Sequence, residues 1–442
     1  MLTWVVLWTI AAIVASLTTF FRDNRGAGLI LGYIVNFSMY HWFASILYLD
    51  GGTVRHSTDV IFEGFRLSAI GMICFTLGAT LLAGLLLSRP NPPQTFRTVP
   101  HRALPATYLT LGYALGFLLY TSLGGIATLQ ALSAVGGSMA SVAICLYLWI
   151  FVRKRQWGRV ALVVLFVLAT PVFTIATSGY IGFGLGSVVL TGSFLLSWFR
   201  PRWTLVVAGL LIGFVAMSSF VTYMRDRDDI REVVWNDETV AERFGVVGES
   251  FGDWEWFDLG NPAHRKHVDD RLNQNRLVGA AIHNLSITRE YLDGRSIGEA
   301  ALALIPRAIW PAKPVYAGSG DLVSEATGIS FDEQTSVGVG HVLEFYINFG
   351  TVGVVLGFLL LGLVVRLIDA RAGRCLREGD WQGFALAMAV GLPFLIVGGS
   401  LVALTASVGA SALMMTAVNK LFLYRLQRGA ALRKDEPAPL PL

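Results

Sequence analysis

The residues of this chain with the clearest chemical potential stand close together. His341, Glu344 and Asn348 are spaced i, i+3 and i+7, which places all three on one face of a helix. A carboxylate or imidazole there could take the proton of an attacking hydroxyl. Upstream lie Arg276, Arg289, Arg307 and Lys313. Guanidinium forks match phosphate oxygens and can stabilise the charge that grows on a departing pyrophosphate. His283 follows Arg276 by two helical turns and falls on the same face. Each has a structural alternative. The cations can pair with neighbouring acids, Glu344 and His341 can form a helix-end ion pair or cap, and a lone histidine is more often structural.

These residues sit in, or just beyond, a polar segment of about 120 residues, Thr222 to His341, set between two apolar halves. The segment carries 20 Asp and Glu against 12 Lys and Arg, a net charge of −8. The halves around it offer almost nothing a reaction could use. With 442 residues, 54% hydrophobic and 14% charged, and a mean hydropathy of +0.59, the chain is too apolar for a soluble protein. It reads as an all-α polytopic membrane protein, because only helices or closed barrels satisfy the backbone in lipid.

About eleven apolar stretches approach the roughly 20 residues a span needs: near 2–20, 28–49, 67–87, 106–122, 137–152, 160–176, 181–199, 203–221, 342–365, 383–398 and 403–423. Alternate loops between them hold 19 basic residues, from Arg22 and Arg25 through Arg366, Arg371, Arg374 and Arg377 to Lys434, whereas the intervening short loops hold only Arg55 and Arg66. The positive-inside rule then puts the basic loops and the C-terminus in the cytosol and the N-terminus outside. The expected organisation is a bundle of about eight helices over 1–221, an extracytoplasmic loop with short helices over 222–341, and about three helices with a short cytosolic tail over 342–442. Met1 to Phe20 reads as a retained helix. Cys74 and Cys145 lie in apolar spans and Cys375 in a cytosolic loop, so no disulfide framework is expected.

Several chemistries lack their residues. There is no His-Glu-x-x-His, no Cys-x-x-Cys, no Gly-rich phosphate loop followed by Lys and no Gly-x-Ser-x-Gly. Asp226-Arg-Asp228 spells an Asp-x-Asp pattern, but among so many acids it is expected by chance. No metal, no cofactor and no nucleic-acid partner is expected. The basic balance of the chain as a whole reflects membrane orientation.

Within the polar segment, apolar periodicity predicts a helix over Val268 to Leu292, stopped near Gly294. Ser296-Ile-Gly-Glu299 reads as a capping box for a helix that Pro306 ends, displaying Arg307 at its terminus. Trp235, Trp254 and Trp256 suit the headgroup level. The run Gln334 to Gly340 delivers the chain to the ninth span on a glycine-rich backbone.

Three stretches together resemble bacterial O-antigen polymerases: Arg271-Leu-Asn-Gln-Asn-Arg-Leu-Val-Gly279, Ile305-Pro-Arg-Ala-Ile-Trp-Pro-Ala-Lys-Pro314, and Thr335 to Gly350. They cover about 80 residues closely. Such polymerases are similar to O-antigen ligases, which use the same polyprenyl-linked donor. The resemblance implies a glycosyltransferase of the bacterial inner membrane that moves a growing glycan from undecaprenyl pyrophosphate to a sugar hydroxyl on another lipid-linked repeat unit. Its donor and acceptor would be lipid-linked glycans, and a flippase and a chain-length regulator would be its protein partners. On this sequence Arg307, Arg276 and Arg289 would hold the pyrophosphate, with Lys313, His283, Tyr346 and Asn348 as further substrate contacts. Glu344 or His341 would orient or deprotonate the acceptor. A ligase is the nearest alternative, and a transporter or flippase, or a scaffold of a polysaccharide export complex, lies further off.

Overall fold

The computed structural model describes residues 1–19, 25–49, 57–87, 103–118, 127–198, 203–236, 238–305, 310, 319–331 and 337–434. Their regular structure is entirely helical, 84% helix with no strand among them. The first half holds α1 (Leu2–Thr18), α2 (Leu29–Ser38), α3 (Thr58–Leu77), α4 (Ala103–Tyr113), α5 (Ala127–Arg153), α6 (Trp157–Ser178), α7 (Gly182–Trp198) and α8 (Trp203–Arg225). A widened π turn, Met39–Phe43, carries α2 on to Ile46, and another, Gly78–Leu82, carries α3 on to Leu87. The polar segment forms α9 (Arg227–Trp235), α10 (Val240–Gly252), α11 (Pro262–Leu272), α12 (Asn275–Thr288), α13 (Arg295–Ala303) and α14 (Ser319–Thr327). The chain closes with α15 (His341–Glu378), α16 (Trp381–Gly391) and α17 (Leu401–Lys434).

Among the described residues, seven helices are long and apolar enough to cross a membrane: α2 and α3 with their extensions, α5, α6, α8, α15 and α17. Of the eleven expected spans, three fall on shorter apolar helices, in α1, α7 and α16. The fourth begins as α4 and its end lies outside the described residues. α16 is short for a local reason. It tightens into a 3-10 turn at Leu392–Leu395, which contains Pro393, and the chain then runs without helix to Leu401.

At the centre α3 packs against α15. A Cβ at Gly78 would overlap the Leu359 carbonyl, and one at Gly362 would overlap the Phe75 carbonyl. Small residues let the two backbones meet, the usual means of helix association where no water is displaced. Trp8, Tyr33, Phe37, Phe65, Phe75 and Phe358 fill the space beside them, all buried. Leu85, Leu162, Leu210 and Leu360 stand outward and exposed on the spans, an arrangement suited to lipid.

The two ends of the bundle differ. At one end Asp369 Oδ1 accepts from the amides of Ala27 (2.8 Å) and Leu29 (2.9 Å), satisfying the start of α2. Arg377 donates to the Arg25 carbonyl at 2.8 Å, and Arg25 and Arg153 lie over Trp198 and Trp149. Basic residues at the start of α2 and at the ends of α5 and α15 thus gather here. The polar segment occupies the opposite end.

There Asp226 and Asp228, the chance Asp-x-Asp, are paired with Arg225 and Arg227. Glu255 accepts from Arg225 at 2.8 Å and faces His264 Nε2 at 3.0 Å. The hydrogen bond with His264 first, and that with Arg225 next, hold the Glu255 carboxyl below its ordinary value. A depressed carboxylate stabilises fully above its unfolded value and loses that contribution as pH falls through the folded one. The polar segment should therefore become protease-sensitive as pH drops below about 4.3, and Glu255→Gln should flatten that dependence. An unchanged acid profile in Glu255→Gln would remove this cluster from the account.

The helix expected over Val268 to Leu292 is two helices. α11 ends at Leu272 and α12 starts at Asn275, because Asn273 turns its side chain back to Asp269 at 2.7 Å and Asn275 commits its own to another part of the bundle. The expected capping box at Ser296 is also absent. Gly294, at φ +90°, precedes the helix, and the Ser296 hydroxyl is used elsewhere. The ninth span does not run unbroken from 342. Phe349 (φ −142°, ψ 23°) and Gly350 (φ 60°, ψ −148°) interrupt α15, leaving a short leading helix, 341–348, before the long one. Gly350 occupies a backbone region that a side chain resists.

Candidate functional site

The leading helix of α15 is the floor of the site. His341, Glu344 and Asn348 are all fully buried, so the face expected from their spacing is turned into the protein. Glu344 Oε2 accepts from the Leu401 amide at 2.6 Å, where an unpaired donor at the start of α17 favours negative charge. Asn348 Nδ2 donates to Ser296 Oγ at 2.7 Å and to the Glu344 carbonyl at 2.7 Å. The Tyr33 hydroxyl meets His341 Nδ1 at 3.2 Å, and the two rings stack at 6.0 Å.

Two stretches of non-helical backbone and one widened helical turn converge on this helix. The His341 amide donates to the Val397 carbonyl, in the run between α16 and α17. Residues 337–340 cross that same run so closely that a Cβ on Gly338 would overlap the Gly398 carbonyl. The π turn of α2 approaches from the other side, with the Gln274 amide donating to the Tyr40 carbonyl at 3.1 Å. The Gln274 side chain lies against Gly338, Gly340 and Gly398. Irregular backbone near lipid persists only where protein or a cavity covers it, and here each irregular stretch covers the others.

Several buried polar atoms without partners lie on this helix or on the segments that approach it. Glu344 Oε1, His341 Nε2, Asn348 Oδ1, Gln274 Oε1 and His41 Nε2 are all buried and unpaired. Three of the five belong to the leading helix itself, and each such atom costs about 1–3 kcal/mol unless something else satisfies it. Together they present one carboxylate oxygen, two imidazole nitrogens and two amide oxygens, a set that can hydrogen-bond hydroxyl groups. The floor is fully buried, with the run after α16 bonded to it at His341 through the Val397 carbonyl and at Glu344 through the Leu401 amide.

The other expected residues are distributed differently. Tyr346 is buried on the leading helix, edge-on to Tyr291 at 6.2 Å. Arg276 is half-buried next to Asn275 and lies within electrostatic reach of Tyr48. Tyr48 donates to Asp269. His283 and Arg289 are exposed, Arg289 in a left-handed conformation (φ 58°) just past the end of α12. Arg276 and Arg289 mark opposite ends of a helix about 20 Å long, so the structure does not bring them together. Arg307 and Lys313 lie outside the described residues. Among the described residues no group of three or more His, Cys, Asp or Glu could hold a metal.

Reading the sequence missed Tyr33, His41, Gln274 and Ser296. His41 had a signal. It is the one His, Lys, Arg, Asp or Glu in the apolar run 28–49, and an intramembrane ionisable group is a functional candidate by default.

The sequence profile of one family, described as a domain of unknown function (DUF8712), matches residues 29–426. No curated protein matches the chain, and no solved structure does.

Proposed function

We propose that this chain, which belongs to the DUF8712 family, is an integral-membrane glycosyltransferase that joins polyprenyl-pyrophosphate-linked oligosaccharide repeat units at the outer face of a bacterial inner membrane. The observation that carries the reading is Glu344. It is a fully buried carboxylate, held through Oε2 by the Leu401 amide and placed beside the Ser296 hydroxyl, with no close donor on Oε1. A base so placed can take the proton of an acceptor sugar hydroxyl, with His341 orienting that hydroxyl. Arg307 and Lys313 remain the cations assigned to the pyrophosphate, joined by Arg276 or Arg289 but not by both, since those two stand at opposite ends of α12. In this reading about eleven spans cross the membrane, with the N-terminus outside and the C-terminus in the cytosol.

A transporter draws support from the broken helices and buried histidines. They gather at one end of the bundle, however, beside the polar segment, which suits transfer at a membrane surface better than a path through it. In cells, deletion should leave lipid-linked glycans of one repeat unit. Unligated polymer would identify a ligase, and units retained at the cytosolic face a flippase. For orientation, alkaline phosphatase fused near Gly260 should be active and fusion near Gly373 inactive, following the 19 basic residues against 2 in the short loops. The reverse pattern would overturn the assigned topology.

A further inference from the structure

His41 has its protonation pattern set by its neighbours. The π turn Met39–Phe43 rotates it into the bundle, where it is fully buried beside Phe37 and Trp8. Such turns cost helical hydrogen bonding and recur at functional positions. Asn275 Nδ2 donates to the His41 carbonyl at 2.8 Å, which fixes the amide so that Oδ1 faces His41 Nδ1, also at 2.8 Å. Oδ1 can only accept, so Nδ1 carries the hydrogen. Ser68 agrees, because its hydroxyl donates to the Gly64 carbonyl at 2.9 Å and leaves a lone pair 2.9 Å from the same nitrogen. Nε2 is therefore bare, an acceptor with no partner. Leaving it so is a standing cost that a purely structural histidine would not need.

The same clamp connects His41 to the site. Asn275 holds His41, while the adjacent Gln274 lies against the glycines that precede His341 and against Gly398, close to the Glu344 partner Leu401. We infer that His41 is a further substrate-binding residue of the site, whose bare Nε2 accepts a hydrogen bond from a hydroxyl of the incoming acceptor sugar, with Asn275 and Ser68 as positioning residues. This rests on the glycosyl-transfer reading and gives the acceptor hydroxyl group a second anchor besides Glu344 and His341. No proton is transferred to His41, so its contribution belongs to binding and should appear in KM.

The test uses the full-length protein in proteoliposomes. The donor is a labelled, pre-extended lipid-linked glycan at fixed concentration, and the acceptor is single lipid-linked repeat units purified from a deletion strain. His41→Asn keeps a donor at the Nδ1 position and removes the Nε2 acceptor. It should raise the acceptor KM about tenfold or more, the loss of one buried hydrogen bond, with kcat within about threefold. His41→Gln, which places an amide oxygen near the Nε2 position, should recover most of that loss. A wild-type acceptor KM in His41→Asn overturns the inference while leaving the glycosyl-transfer reading intact. Should His41→Asn fail to accumulate, His41→Gln alone decides. A KM within about threefold of wild type supports the role, and a rise of about tenfold overturns it. Wild-type protein that lengthens no glycan overturns the reading and this inference with it.

Discussion

If the proposed glycosyl transfer is right, Glu344→Gln should lower glycan lengthening by about a hundredfold or more, the usual effect of losing a general base, while the protein should accumulate and fold as wild type. Two features make these outcomes separable. The glutamine oxygen can still accept from the Leu401 amide, which Glu344 Oε2 meets at 2.6 Å, so the start of α17 stays satisfied. Removing a buried negative charge also relieves desolvation, so stability should not fall. What disappears is the basic oxygen that has no partner. His341→Ala is the companion variant. Loss of activity there with full activity in Glu344→Gln would transfer the base to the histidine. Rates are best compared as kcat with donor saturating, since the carboxylate is assigned to the acceptor hydroxyl and donor affinity should hold.

Gly279→Val should remove activity by a different route, through the packing of α12 on α3. A Cβ at Gly279 would overlap the Val60 carbonyl, and one at Gly64 would overlap the Asn275 carbonyl. The two glycines lock the helices together at backbone distance, with nothing flexible to yield. Overpacking of this kind costs about 1–3 kcal/mol where side chains can shift, and opposed backbone should place this case at or above the top of that range. α12 begins at Asn275, so displacing it withdraws the clamp on His41 and the Gln274 side chain from the glycine crossing. The expected result is a lower melting temperature together with loss of glycan lengthening. Gly245→Ala, on α10, is the control. No atom beyond its neighbours and the backbone of its own helix lies within 4 Å of its added Cβ, so it should be silent. Wild-type stability and activity in Gly279→Val would mean that α12 does not position the site.

The parts of this arrangement that follow from local pattern were legible in the sequence, and those that depend on distant partners were not. Helical class, apolar spans and the shared face of His341, Glu344 and Asn348 follow from composition and a 3.6-residue period. The shortness of α16 had a local cue in Pro393, yet hydropathy alone extends the span across it, because apolar residues continue to Val397. The split between α11 and α12 depends on Asn275 bonding His41, 234 residues away in the chain. No window of sequence contains that bond. Ser296 illustrates the same limit. Its spacing to Glu299 fits a capping box, but Asn348, 52 residues on, takes the hydroxyl instead. Arg276 and Arg289 were chosen by residue type and by the family resemblance, without a spacing that would place them together. The structure leaves Arg276, His283 and Arg289 apart along one helix, so residue type had no means of ranking them.

The most direct test of the central claim is reconstitution of the purified full-length protein in liposomes with undecaprenyl-pyrophosphate-linked repeat units on the face that the polar segment occupies. The account predicts a ladder of lipid-linked glycans spaced by one repeat unit, with one polyprenyl pyrophosphate released per bond formed. It also predicts loss of the ladder in Glu344→Gln. Lipid-linked units that cross the bilayer unchanged, with no new glycosidic bond and no released pyrophosphate, would contradict it.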